Sequence, residues 1–106
     1  MEEKPNFNFI NQISKGDTLF EKSLIGIIKK EISQEIESYQ MHLQNGNYSK
    51  SSKVVHKISH KIKIFGLKNG FKIADKYSRQ LMENNQSLKM DFECVLTTLA
   101  LFIKKA

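Results

Sequence analysis

Tryptophan is absent from the chain, and proline, cysteine and arginine occur once each, as Pro5, Cys94 and Arg79. A single cysteine excludes an internal disulfide and suits a reducing compartment. With Phe92, Val95 and Leu96 around it, Cys94 reads as a core or boundary residue. The only proline lies in a polar opening, so residues 1–6 are expected to form a loose lead-in. Long apolar runs are missing too. The longest, from Val95 to Ile103, is broken by two threonines and falls short of the ~20 residues a bilayer crossing needs, so no membrane span is expected. The opening MEEKPNFNF carries two acids and lacks a basic start followed by an apolar run. A secretory signal is therefore not expected, and a cytoplasmic location is.

The scarcity of arginine bears on partners. The chain has 17 basic and 11 acidic residues, a formal charge of +6, which raises the question of an anionic partner. The basic residues are scattered along the whole length, and arginine, which makes the commonest specific base contact, appears once. A small acidic protein surface fits the charge as well as nucleic acid does, and nucleic acid is not the expected partner.

What the chain does have is helical periodicity. Nothing alternates with period two, and there is no internal repeat or low-complexity segment. At 106 residues, 40% hydrophobic and 26% charged, it has the size and composition of one globular domain, residues 1–106. Phe7, Phe9, Ile10 and Ile13 suggest a short helix ending near Gly16. Asp17 or Thr18 is a good N-cap, with Glu21 at capping-box distance from Thr18. The helix that follows steps through Phe20, Leu24, Ile27, Ile28, Ile32, Ile36, Tyr39 and Leu43 before Gln44-Asn45-Gly46 stops it. A second long helix begins near Asn47 to Ser49 and closes at Gly66. Asn69 and Gly70 open a third, with Phe71, Ala74, Tyr77 or Ser78, and Leu81 on its apolar side. Ser87 is expected to cap a last helix carrying Leu88, Phe92, Val95, Leu96, Leu99, Phe102 and Ile103. Short links between four apolar stripes predict an all-α fold, an antiparallel up-down-up-down four-helix bundle with a short additional N-terminal helix.

Within the second long helix, the stretch VVHKISHKIKIFGL has two faces. At about 100° per residue, Val54, Val55, Ile58, Ile62 and Phe65 share an apolar arc. His56 points almost directly away from it, with Ser52, Lys53, Ser59, His60 and Lys63 gathered around. The order His56, Ile58, Phe65, Gly66, Leu67 resembles the signature of histidine-containing phosphotransfer (HPt) domains: an exposed histidine, an aliphatic two residues on and a glycine ten residues on. Where family members commonly carry lysine and glycine, three and four residues after the histidine, this chain has Ser59 and His60.

The resemblance implies that His56 takes a phosphoryl group from a phosphoaspartate on one receiver domain and passes it to another. The expected partners are response-regulator receiver domains and a hybrid sensor histidine kinase in a two-component phosphorelay. The chain would then be a monomeric phosphoryl carrier without independent catalysis. No cofactor of its own is expected, the magnesium ion belonging to the receiver. Imidazole suits the role because it is nucleophilic near neutral pH without a base to deprotonate it, and no acid lies between Glu37 and Asp75 to act as one. Lys53 and Lys63 are the expected electrostatic partners of the phosphoryl oxygens, with Lys57 less well directed. Ser59 offers one neutral hydrogen bond. Ser78 stands where many family members keep a glutamine that contacts the histidine. His60 implies a changed docking angle or a direct receiver contact, and Ile64, about 80° round from His56, suits a docking surface.

His56 and His60, one turn apart, are two metal ligands without a third, so no metal is expected. Two other readings remain: a small basic helical module that binds nucleic acid or a protein, with His56 incidental, and an inactive HPt-like scaffold.

Overall fold

The computed structural model describes residues 3–106, and among them every regular element is a helix: α1 (Asn8–Ser14), α2 (Thr18–Gln44), α3 (Tyr48–Ile64), α4 (Lys68–Met82) and α5 (Lys89–Lys104). The stops are those of the turn chemistry. Lys15 and Gly16 (φ 50° and 87°), Gly46 (φ 71°) and Asn84 (φ 59°) take the left-handed conformation that ends a helix. At the end of α3, Gly66 N–H donates to Lys63 O and Leu67 N–H to Ile62 O, a Schellman closure that needs the positive φ of Gly66.

The starts differ more from expectation. Asp17 is the N-cap of α2, accepting from Phe20 N at 3.0 Å, while Glu21 turns back to accept from the Ser14 hydroxyl. Asn47 caps α3 by accepting from Lys50 N. Ser87 does not cap α5, because its hydroxyl is taken by Gln80 and the N-cap position falls on Leu88. The start of α4 has no cap of its own. The Glu3 carboxylate supplies one from the far end of the chain, accepting from Asn69 N at 3.0 Å and Gly70 N at 2.7 Å. Asn6 N–H donates to Phe65 O at 2.8 Å. Of the expected loose lead-in, residues 1–2 lie outside the described residues and 3–6 are tied down, because unpaired donors and acceptors at two helix ends need them.

One contiguous apolar cluster draws on every helix: Ile10 from α1, Ile32 and Tyr39 from α2, Val55, Ile58 and Ile62 from α3, Ala74, Tyr77 and Leu81 from α4, and Phe92, Leu99 and Ile103 from α5. Each such large side chain contributes roughly 1.5–3 kcal/mol when fully removed from water. α3 packs against α2 and α4, α4 against α5, α5 against α2, and α1 against α2. Two expected core positions are instead half-exposed, Phe20 at 47% and Ile27 at 55%. At 1.5 Å per residue, the 27 residues of α2 outrun the 15 and 16 of α4 and α5, so its first turns have fewer neighbours to cover them. Cys94, expected at the core or its boundary, is exposed: Phe92, Leu96 and Leu99 take the inward face of α5. Among the described residues no helix is long and apolar enough to cross a membrane.

Candidate functional site

α3 positions the site because its two sides are so unequal. Val55, Ile58 and Ile62 are fully buried, which fixes the rotation of the helix. His56, between them in sequence, is thereby held in solvent. The Ser59 hydroxyl donates to the His56 carbonyl oxygen.

Ser59 is itself fully buried. It cannot offer a hydrogen bond at the surface, so it leaves the set of phosphate-facing residues. Ser52, expected on the same exposed side, is buried too, donating to the Ser78 carbonyl oxygen. The cause is α4, which packs along this flank of α3. Ser78 is buried at the same seam, and its hydroxyl donates to Asp75 O at 2.9 Å within its own helix. It helps line the hollow beside His56, but its one proton is already committed.

That hollow, about 420 Å³, is lined by Ser52, Lys53, His56, Lys57, Ser78, Arg79 and Met82. Three cationic side chains thus share it with the histidine. Lys53 is where it was expected. Lys57, judged less well directed from its angle on the helix, lines the hollow as well as the groove between α2 and α3, since a long flexible side chain reaches well beyond its own Cβ direction. Arg79 was missed. Its signal in the sequence is weak, a lone arginine beside Ser78, and only the packing of α4 on α3 brings it to the histidine. Its guanidinium holds Asp75 Oδ2 at 2.9 Å and remains 73% exposed.

Lys63 goes elsewhere, lying 5.1 Å from the centre of the Phe71 ring in a cation–π contact. With His60, Ile64 and Phe9 it lines a second hollow of about 390 Å³. Phe9, part of the apolar spacing of α1, is 47% exposed. Ile64 is half-buried beside it.

His60 joins the two regions. Its Nε2 lies 3.3 Å from His56 Nε2, with the rings nearly perpendicular at 81°. It also lines a groove of about 530 Å³ between α2 and α3, together with Glu31, Glu35, Lys57 and Lys61. Carboxylates therefore do approach this surface, delivered by α2 rather than by α3. Lys61 occupies them, bonding Glu35 at 3.0 Å and Glu31 at 3.3 Å, which ties α3 to α2. Among the described residues no three His, Cys, Asp or Glu side chains converge. The third histidine, His42, sits in the last turn of α2.

Set against protein-family models, curated proteins and solved structures, the chain matches none.

Proposed function

We propose that the chain is a histidine phosphotransfer domain of a multistep two-component phosphorelay, with His56 as the phosphoryl acceptor. The observation that carries this reading is the pairing of an exposed His56 with a hollow, largely apolar in its lining, to which Lys53, Lys57 and Arg79 contribute side chains. The neighbour relations α2–α3–α4–α5–α2 support an antiparallel up-down-up-down bundle as its frame.

In the proposed step, the Nε2 lone pair of His56 attacks the phosphorus of an aspartyl phosphate on a receiver domain. The P–N bond forms as the P–O bond to the aspartate breaks, and the carboxylate leaves with its electron pair. The positive charge left on the ring is relieved by loss of the Nδ1 proton to water. Return of the phosphoryl group to a second receiver reverses these events. The receiver brings the magnesium ion and the catalytic groups, while this chain holds the nucleophile in place on a helix anchored in the core. Lys53, Lys57 and Arg79 meet the phosphoryl oxygens and the acidic pocket of the receiver and speed encounter. Phe9 and Ile64, beyond His60, give the receiver an apolar seat. The partners are thus receiver domains and the sensor kinase that feeds them, in the cytoplasm.

Incubation with a phosphorylated receiver domain tests the reading. The wild-type chain is expected to acquire an acid-labile, base-stable label, and His56→Gln to lose it while keeping the helical signal and melting temperature of the wild type. A label that survives the substitution would exclude His56 as the site.

A further inference from the structure

His56 and His60 stand one turn apart on α3, both exposed, with their Nε2 atoms 3.3 Å apart. Their ring centroids are 4.7 Å apart, so the rings lean together at their nitrogen tips. A tetrahedral ion with zinc–nitrogen bonds of about 2.0–2.1 Å holds two ligand nitrogens about 3.3–3.4 Å apart. The two imidazoles already stand at that separation, joined there by an Nε2–H···Nε2 hydrogen bond whose proton the ion would displace.

We propose that His56 and His60 form a two-histidine site for an exchangeable divalent transition metal ion such as zinc, and that the ion closes His56 to phosphoryl transfer; the second clause rests on the function proposed above. The backbone beneath the pair is rigid, since Val55, Ile58 and Ile62 are fully buried and Ser59 bonds the His56 carbonyl. Binding therefore needs no backbone rearrangement, and what opposes it is the proton held between the rings and the cationic side chains around them. Imidazole nitrogen selects zinc, copper or nickel over magnesium and calcium. No third His, Cys, Asp or Glu among the described residues completes the shell, so water fills it and the ion exchanges.

Charge acts in both directions. Lys53, Lys57, Lys63 and Arg79 repel a cation, Arg79 less strongly for being paired with Asp75, while Glu31 and Glu35 in the groove shared with His60 attract it, less strongly for being paired with Lys61. The lysines are exposed and screened by salt. The Nε2 lone pair that binds the ion is the one that would form the P–N bond, so the two occupants exclude each other.

Zinc chloride titrated into the full chain, followed by competition with a colorimetric zinc indicator and by thermal melting, tests the site. Wild type is expected to bind zinc and melt at a higher temperature with it. His56→Gln and His60→Gln should each weaken binding at least about tenfold, the lower end of what even an outer-sphere change costs a metal site. Magnesium chloride should do nothing. Both histidines are exposed, so the variants without zinc should melt with the wild type. Equal zinc binding by the double variant, or none by the wild type at about millimolar zinc, overturns the site. In the phosphorylation assay, with each protein compared with its own zinc-free rate, zinc should block transfer to wild type and leave the rate of His60→Gln unchanged. A wild type that accepts phosphate equally fast with zinc overturns the closure. One that binds zinc but never accepts phosphate overturns the proposed function and leaves the metal site standing.

Discussion

The hydroxyl oxygens of Tyr39 and Tyr77 lie 2.8 Å apart in the protein interior, and Tyr39 donates its proton to Glu93 Oε2, also at 2.8 Å. Tyr77 therefore donates to Tyr39. The chain joins α2, α4 and α5, and Ser51 of α3 donates to the Tyr39 carbonyl at 3.4 Å. Around Tyr39 all four long helices are linked by polar groups, which fixes the frame on which α3 presents His56.

Tyr39→Phe should cost roughly 1–3 kcal/mol at pH 7, because it leaves the Tyr77 hydroxyl and the Glu93 carboxylate each short of a partner. It should also change the alkaline limb of stability. Burial raises both tyrosines above their ordinary value of 10.0, Tyr39 the more strongly. The unfolded chain releases these protons near pH 10, whereas the folded one keeps them. Their contribution is thus intact below pH 10 and drains away as pH rises beyond it. Urea titrations between pH 8 and pH 11, approximate limits set by the ordinary tyrosine value, should show a shallower decline for Tyr39→Phe. An unchanged slope would contradict this assignment.

Glu3→Ala should destabilise the fold by about 0.5–2 kcal/mol, as expected for loss of a helix cap. Amide exchange at Asn69 and Gly70 should quicken, since those are the two N–H groups it holds. If exchange there does not change, the cap contributes nothing in solution.

Gly66→Ala should cost about 1–3 kcal/mol, from the left-handed backbone and the crowding together. At φ 82° an added Cβ would stand 2.5 Å from Asn6 Nδ2, and Asn6 is held against Phe65 through its own N–H. Chemical denaturation measures the loss. Asn6→Gly should relieve the crowding but not the backbone strain, so the double variant is expected to recover part of it.

Under the proposed function, two substitutions would separate the charge expected to serve His56 from the hydroxyl that is not. Ser59→Ala should leave phosphoryl transfer unchanged, because the hydroxyl is buried on the His56 carbonyl. Arg79→Ala should slow transfer roughly threefold to tenfold, with the deficit shrinking at high salt. Its stability should stay within about 0.5 kcal/mol of wild type, as its side chain is largely exposed. Rates from a phosphorylated receiver at two ionic strengths decide both. Slowing by Ser59→Ala, or none by Arg79→Ala, would revise the site.

Much of the architecture was legible in the residue order. The helices follow from the spacing of apolar residues, and the exposed His56 follows from its position opposite Val55, Ile58 and Ile62. The errors around His56 share an origin. Ser52 and Ser59 are short polar side chains, equally at home in water or bonded to a nearby carbonyl. Their surroundings are set by how closely α4 lies on α3, which no helical wheel contains. Lys57 and Lys63 were ranked by Cβ direction, yet their long side chains settle according to what lies across the seam.

Periodicity, helix stops and the outward aim of His56 are properties of residues within a few turns of one another, so they can be read along a single strand of text. The company His56 keeps was decided by assembly. Arg79 reaches it from α4, Glu31 and Glu35 approach His60 from α2, and Glu3 caps a helix that begins more than sixty residues later. Such pairings depend on the relative rotation and length of packed helices, which only closure of the common core determines.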